Sequence, residues 1–129
     1  MMPPVNTVRF IGIMFRKMLK SKIHRLRITD ANLDYQGSIT LDPELMERAD
    51  IRPFEFVDVW NVTNGNRFET YAIAGQRGKR EVCVNGAAAR LVSRGDLVIV
   101  ASHRYLTDDE TVAHEPFVVF VNDRNDPLT

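Results

Sequence analysis

The sequence predicts an all-β domain, closed or nearly closed on itself, with one or two short helices, and three observations carry that expectation. Short runs rich in Val, Ile, Phe and Tyr recur between turn signals made of Gly, Asp, Asn and Pro. One pair of runs, Glu55-Phe56-Val57-Asp58-Val59-Trp60-Asn61-Val62 and Arg67-Phe68-Glu69-Thr70-Tyr71-Ala72-Ile73, flanks Asn64-Gly65, which tolerates the positive φ angles of a tight hairpin turn. At 129 residues the chain has room for one compact core and not for two ordinary ones.

Taken in order, residues 1–13 read as an N-terminal extension, and strands are expected at 22–29 and 38–41. Residues 43–49 suit a helix, with Asp42 as N-cap, Pro43 at the first helical position and Glu44 near the positive end of the dipole. After the hairpin, further strands are expected at 80–84, 97–102 and 117–121. Asn85-Gly86-Ala87-Ala88-Ala89-Arg90 reads as a turn opening one helical turn; its free N–H groups could hold an anion, but spacing alone favours a turn without a ligand. The apolar run Phe117-Val118-Val119-Phe120-Val121 would invite aggregation at an open edge, so a cover is expected for it, another subunit being one means.

Composition excludes several function classes. Lys plus Arg equals Asp plus Glu at 17 each, so no overall field attracts nucleic acid or an anionic membrane, and neither is an expected partner. The local basic run Arg16, Lys17, Lys20, Lys22, Arg25, Arg27 is either an ordinary solvated face or a cationic wall for a small anion. Cys83 is the single cysteine, which rules out an intrachain disulfide, makes a reducing cytoplasm the expected compartment, and reads as a small core residue rather than a nucleophile. The apolar stretch 8–15 is too short to span a membrane and lacks a small-residue cleavage site, so neither signal peptide nor anchor is expected. His24, His103 and His114 show no metal-ligand spacing, and no nucleophile elbow, phosphate loop or dinucleotide fingerprint is present.

Gly37-Ser38 is uninformative by itself, because a Gly-Ser pair is nearly always a turn. From about Met14 to Ser102, however, ordered blocks of the chain resemble the pyruvoyl-dependent aspartate 1-decarboxylases. They are Met18-Leu19-Lys20-Ser21-Lys22-Ile23-His24-Arg25, Tyr35-Gln36-Gly37-Ser38, Trp60-Asn61-Val62-Thr63-Asn64-Gly65-Asn66-Arg67-Phe68 with Thr70-Tyr71-Ala72-Ile73, Val84-Asn85-Gly86-Ala87-Ala88-Ala89, and Gly95-Asp96-Leu97-Val98-Ile99. The resemblance implies a double-psi β-barrel over residues 14–102, with 103–129 a tail that completes or caps it. It also implies a homotetramer of processed chains with sites between subunits, a maturation factor as a further candidate partner, and conversion of L-aspartate to β-alanine and carbon dioxide for pantothenate synthesis.

The chemistry explains why such a protein needs those residues. Loss of carbon dioxide from an α-carbon leaves a carbanion, and no ordinary side chain offers an electron sink. By resemblance the sink is a pyruvoyl group derived from Ser38, with neither a metal nor pyridoxal phosphate. The Ser38 hydroxyl attacks the Gly37 carbonyl, the peptide becomes an ester, and elimination with hydrolysis divides the chain between Gly37 and Ser38. The ketone then forms a Schiff base with the substrate amine. Attack on a resonance-stabilised amide suggests a strained Gly37-Ser38 loop and donors for the developing oxyanion.

Tyr35 and Thr70 are the implied processing residues, Thr70 holding the oxyanion, although Tyr and Thr are also common strand residues. Arg67 is the implied carboxylate clamp, since a guanidinium meets a carboxylate through two parallel hydrogen bonds, and Lys22 adds a second positive charge. Tyr71 is the implied proton donor. Asn85, Gly86, Ala87 and Ala88 resemble the pocket floor, and Trp60 and Ile73 an apolar lining. Strand alternation puts Arg67, Glu69 and Tyr71 on one face and Thr70 on the other, so one simple wall cannot hold them all. Two alternatives stand beside this reading: a pyruvoyl decarboxylase of another acidic amino acid such as glutamate, and a non-cleaving β-barrel module that binds a small anion or a protein.

Overall fold

The computed structural model describes residues 12–128, so the expected extension over residues 1–13 lies almost wholly outside the described residues. β1 (Phe15–Arg27) runs on through Ile28 and Thr29 into β2 (Asp30–Asn32). There follow β3 (Ser38–Leu41), α1 (Pro43–Arg48), the hairpin strands β4 (Phe56–Asn61) and β5 (Arg67–Ala74), β6 (Cys83–Asn85) and a 3₁₀ helix (Gly86–Leu91). The chain ends with β7 (Leu97–Thr107), α2 (Asp108–Thr111) and β8 (Phe117–Phe120). No helix among the described residues is long and apolar enough to cross a membrane.

The strands hydrogen-bond in the order β2-β6-β3-β5-β4-β7-β1-β8. Because β2 continues β1, and the Thr29 N–H donates to the Val82 carbonyl at 2.8 Å, the circuit β1-β7-β4-β5-β3-β6-β2 returns to its own start. The pairings β2–β6 and β3–β5 are parallel and the rest of the circuit is antiparallel, with β8 added outside on β1. The molecule is thus the all-β barrel that was expected, and closure of the circuit leaves β8 as the strand on its outside. Its interior is filled by aliphatic side chains such as Ile23, Leu41, Val59 and Val100, each fully buried.

The differences from expectation have local causes. β1 begins at Phe15 rather than residue 22, because its first half pairs with a β7 that continues to Thr107 rather than ending at 102. A register shift between Ile23 and Leu26, with Arg25 at φ 63°, turns both apolar residues inward although they lie three apart. The hairpin loop is not a two-residue turn: it spans residues 62–66, with Gly65 at φ 81° and Asn64 outside the positive region. Asparagines shape it instead. The Asn61 Oδ1 accepts from the Thr63 and Asn64 N–H groups, and the Asn64 and Asn66 amides both donate to the Leu91 carbonyl at 3.1 Å.

The strand expected at 80–84 is shorter and later, since Arg80 adopts φ 60° and its N–H donates to Asp42. The short helix α2 was not expected; the Thr107–Glu110 capping box starts it within the tail that follows residue 102. β8 is covered on one side by its parallel pairing with β1, while Phe117 and Phe120 stay exposed beside a groove of about 500 Å³.

Candidate active site

Alternation along two short strands builds the centre of the site. In β3, Ile39 and Leu41 enter the core, which turns Ser38 and Thr40 to the outer face; in β6, Val84 enters the core and Cys83 and Asn85 turn outward. The antiparallel register then sets Ser38 opposite Asn85 and Thr40 opposite Cys83. The Asn85 Nδ2 donates to the Ser38 Oγ at 2.9 Å and to the Thr40 Oγ1 at 3.2 Å, while the Cys83 Sγ lies 3.3 Å from the Asn85 Oδ1. Ser38 is only 1% exposed and Asn85 only 4%. A buried amide whose polar atoms are all engaged is held firmly.

The approach of the loop before Ser38 depends on Gly86. A Cβ added there would fall 2.7 Å from the Gly37 Cα, 2.9 Å from its N and 3.2 Å from the Tyr35 carbonyl oxygen, and Gly86 also sits at φ 74°. Only glycine meets both demands. Gly37 itself has open space where a side chain would go, and neither it nor Ser38 is at positive φ. The strain expected at Gly37-Ser38 is therefore not expressed in left-handed backbone, and the residue whose missing Cβ matters is the one facing it.

β5 supplies the neighbouring wall. Its parallel register with β3 pairs Ile39 with Ala72 and Thr40 with Ile73; one step back brings Ser38 level with Tyr71, and two steps bring Gly37 level with Thr70. Tyr71 shares the outer face with Ser38 and packs against the rings of Phe56 and Phe54, at 6.0 and 6.5 Å between centroids. Thr70 turns to the interior side and is buried, as alternation required. Arg67 is exposed and its guanidinium lies 4.9 Å over the Trp60 ring, its partner across β4–β5. Ile73 is half-buried, Ala88 packs against the core, and Ala87 and Tyr35 are exposed.

Lys22 is not brought to the others. It heads the row Lys22, Ala101, Asp58, Glu69 across β1, β7, β4 and β5, three strand spacings or about 14 Å from β5. On the outside of a barrel such side chains diverge. Within one chain, Gly37, Ser38, Asn85, Gly86 and Tyr71 therefore cluster, the Arg67–Trp60 stack lies further along the same outer face, and Lys22 stands apart. Two neighbours of Ser38 escaped the sequence reading: Thr40, and Cys83, which sits on the Asn85 side of β6 rather than in the aliphatic cluster. The repeated spacing Ser38-x-Thr40 and Cys83-x-Asn85 was the available signal. Burial, and then the charges of Asp30 and Glu81, push the Cys83 thiol above its ordinary value, so it stays protonated and serves as the donor to Asn85.

Comparison with known proteins runs past the expected boundary at residue 102 and takes in the tail. A family model described as aspartate decarboxylase matches residues 14–128. Curated proteins named aspartate 1-decarboxylase are similar over most of their length. The one from Syntrophotalea carbinolica is 60% identical over 116 residues, 90% of this chain and 88% of that one. The one from Legionella pneumophila strain Lens is 60% identical over 86% of this chain and 84% of that one, and the one from Thermoanaerobacter pseudethanolicus is 55% identical over 89% and 98%. Among solved structures, the rationally designed protein mkDPBB_sym_86 aligns with a TM-score of 0.46 at 17% identity, covering 60% of this chain and 90% of that one. With Gly37, Ser38, Asn85 and Gly86 all inside the matched span, the chain belongs to the aspartate decarboxylase family.

Proposed function

We propose that this protein removes the α-carboxylate of L-aspartate, giving β-alanine and carbon dioxide, and that it uses a pyruvoyl group made from Ser38 when its own chain breaks after Gly37. The observation that carries the reading is the buried Ser38 hydroxyl, held by Asn85 at the end of a loop that Gly86 alone allows to approach, in a member of this family. Such a cradle fits the group. When formed, it supplies a ketone that condenses with an amine and draws electrons from the α-carbon as carbon dioxide leaves.

The roles of the chain's own residues follow. As the Ser38 Oγ bonds to the Gly37 carbonyl carbon, the Gly37–Ser38 C–N bond breaks and the hydroxyl proton passes to the freed Ser38 nitrogen, while Thr70, on the same strand as Tyr71 and facing the other side, is the donor assigned to the carbonyl oxygen as charge grows on it. In the mature enzyme Arg67, braced on Trp60, binds a substrate carboxylate. The Tyr71 hydroxyl returns a proton to the carbon that lost its carboxylate. Trp60 and Ile73 exclude water, and the small side chains of Ala87 and Ala88 leave room for the substrate.

The isolation of Lys22 supports a site completed by a second copy, in which Lys22 of one subunit meets Ser38 and Arg67 of another. We assign the assembly as a homotetramer of processed chains in the cytoplasm, serving pantothenate synthesis, with maturation assisted by a helper protein where self-cleavage is slow.

The test is denaturing mass spectrometry of aged protein with borohydride trapping. Two fragments are expected, the second beginning at residue 38 without a free amine and labelled only when aspartate is added. A Ser38→Ala chain is expected to stay whole and inactive. A wild-type chain that remains continuous through Gly37-Ser38 and unlabelled overturns the proposal.

A further inference from the structure

Asn85 can face Ser38 in two ways. In one, its amino group points at the hydroxyls of Ser38 and Thr40 and its oxygen at Cys83; turned by half a rotation, the oxygen would face both hydroxyls and the amino group the sulfur. The second arrangement makes Ser38 a donor and engages the proton that must leave before the hydroxyl can attack. It also sets an N–H against sulfur, a weak acceptor. The first leaves Ser38 as acceptor with its own proton free.

Cys83 selects between these arrangements, because its S–H donates while its sulfur accepts only weakly, and Thr40, whose hydroxyl can serve either, steadies the one selected. The Thr40 methyl rests against Gly75, where an added Cβ would fall 2.9 Å from Thr40 Cγ2, and this close packing fixes a β-branched side chain with its hydroxyl toward Asn85. Cys83 lies across the β3–β6 pair from Thr40 and presents its S–H to the Asn85 Oδ1. Asn85 is free for this work because it makes no side-chain cap to the 3₁₀ helix that follows it.

We propose that Thr40 and Cys83 are positioning residues: together they hold the Asn85 carboxamide in the one orientation that donates to the Ser38 hydroxyl, and so set the rate at which the chain breaks after Gly37. The inference rests on the reading that Ser38 breaks its own chain.

The experiment follows breakage of freshly purified full-length precursor by denaturing mass spectrometry, with thermal melting of each variant as a check on folding. Thr40→Val and Cys83→Ala are each expected to slow breakage roughly fivefold, the scale of one lost hydrogen bond. Thr40→Ser and Cys83→Ser, which return a hydroxyl, are expected to recover most of that loss, an outcome that packing alone does not produce. Should the valine chain fail to fold, Thr40→Ala replaces it. The inference is overturned if a truncated variant breaks at the wild-type rate, or if a serine variant is as slow as its truncated counterpart. A wild-type chain that never breaks instead sinks the underlying reading.

Discussion

At Gly86 a methyl group would arrive 2.7 Å from the Gly37 Cα, 2.9 Å from its N and 3.2 Å from the Tyr35 carbonyl oxygen on a backbone already at φ 74°, and all three contacts involve main chain that cannot swing aside. Gly86→Ala is therefore expected to push residues 35–37 away and to slow chain breakage by roughly tenfold or more, with a stability loss of about 1–2 kcal/mol from the strained φ. Mass spectrometry and urea denaturation measure the two effects separately. Tyr71 faces the same side as Ser38 but stands on the neighbouring strand. Tyr71→Phe keeps the ring packing with Phe56 and removes only the hydroxyl, so breakage should proceed normally while kcat falls by about 100-fold, the lower range for a lost general acid. Normal turnover in that variant would remove Tyr71 from its assigned role.

At the scale of elements, α1 joins two parts of the barrel through Asp42. Its side chain accepts from the Glu44 N–H at 2.9 Å as N-cap, from the Gly78 and Arg80 N–H groups at 2.8 and 3.0 Å, and pairs with the Arg80 guanidinium at 3.2 Å. Burial alone would raise its pKa, but the Arg80 and Glu44 N–H groups, the Arg80 charge and the Gly78 N–H outweigh it and hold the carboxyl below its ordinary 3.8. A carboxyl lowered in this way stabilises the fold above its unfolded pKa, and the contribution disappears as pH falls through the folded value. Stability should thus fall below about pH 4 more steeply in wild type than in Asp42→Asn. Asp42→Ala should cost about 3 kcal/mol at pH 7 by urea denaturation, because it removes a cap and leaves the Gly78 and Arg80 N–H groups without their acceptor, while Arg80 keeps Glu44 and Asp126 as charge partners.

At the scale of the whole molecule, the residues of the proposed site are distributed over more strands than one face can gather. Lys22 on β1 and Ser38 on β3 are separated by β7, β4 and β5 along the strand circuit. Co-expression of Lys22→Ala and Ser38→Ala chains, each inactive or nearly so alone, should restore activity, with roughly a quarter of the sites intact in randomly mixed oligomers. Activity that stays at the level of the single variants would place both residues in one subunit. The exposed Phe117 and Phe120 on β8 belong to the same question, since among the described residues only the Phe120 end of the strand is met on the side away from β1, where the Leu128 N–H donates to its carbonyl at 2.8 Å.

The sequence by itself determined the class of fold and much of its punctuation. Asp42-Pro43-Glu44 marked the helix start to the residue, and β3 falls at 38–41 as expected, because caps and short alternating strands are written in local chemistry. The blocks around Ser38, Arg67 and Asn85 stood out only through the resemblance of whole segments, since a Gly-Ser pair or a lone Arg says little by itself. Tertiary structure decided what depends on pairing: the five-residue hairpin loop tied to Leu91, the bulge at Arg25, and the arrival of Thr40 and Cys83 beside Asn85. It also decided that Gly86, rather than Gly37, is the residue whose missing side chain makes the site. Register and close approach bring together residues dozens of positions apart, and neither leaves a mark on any single stretch of chain.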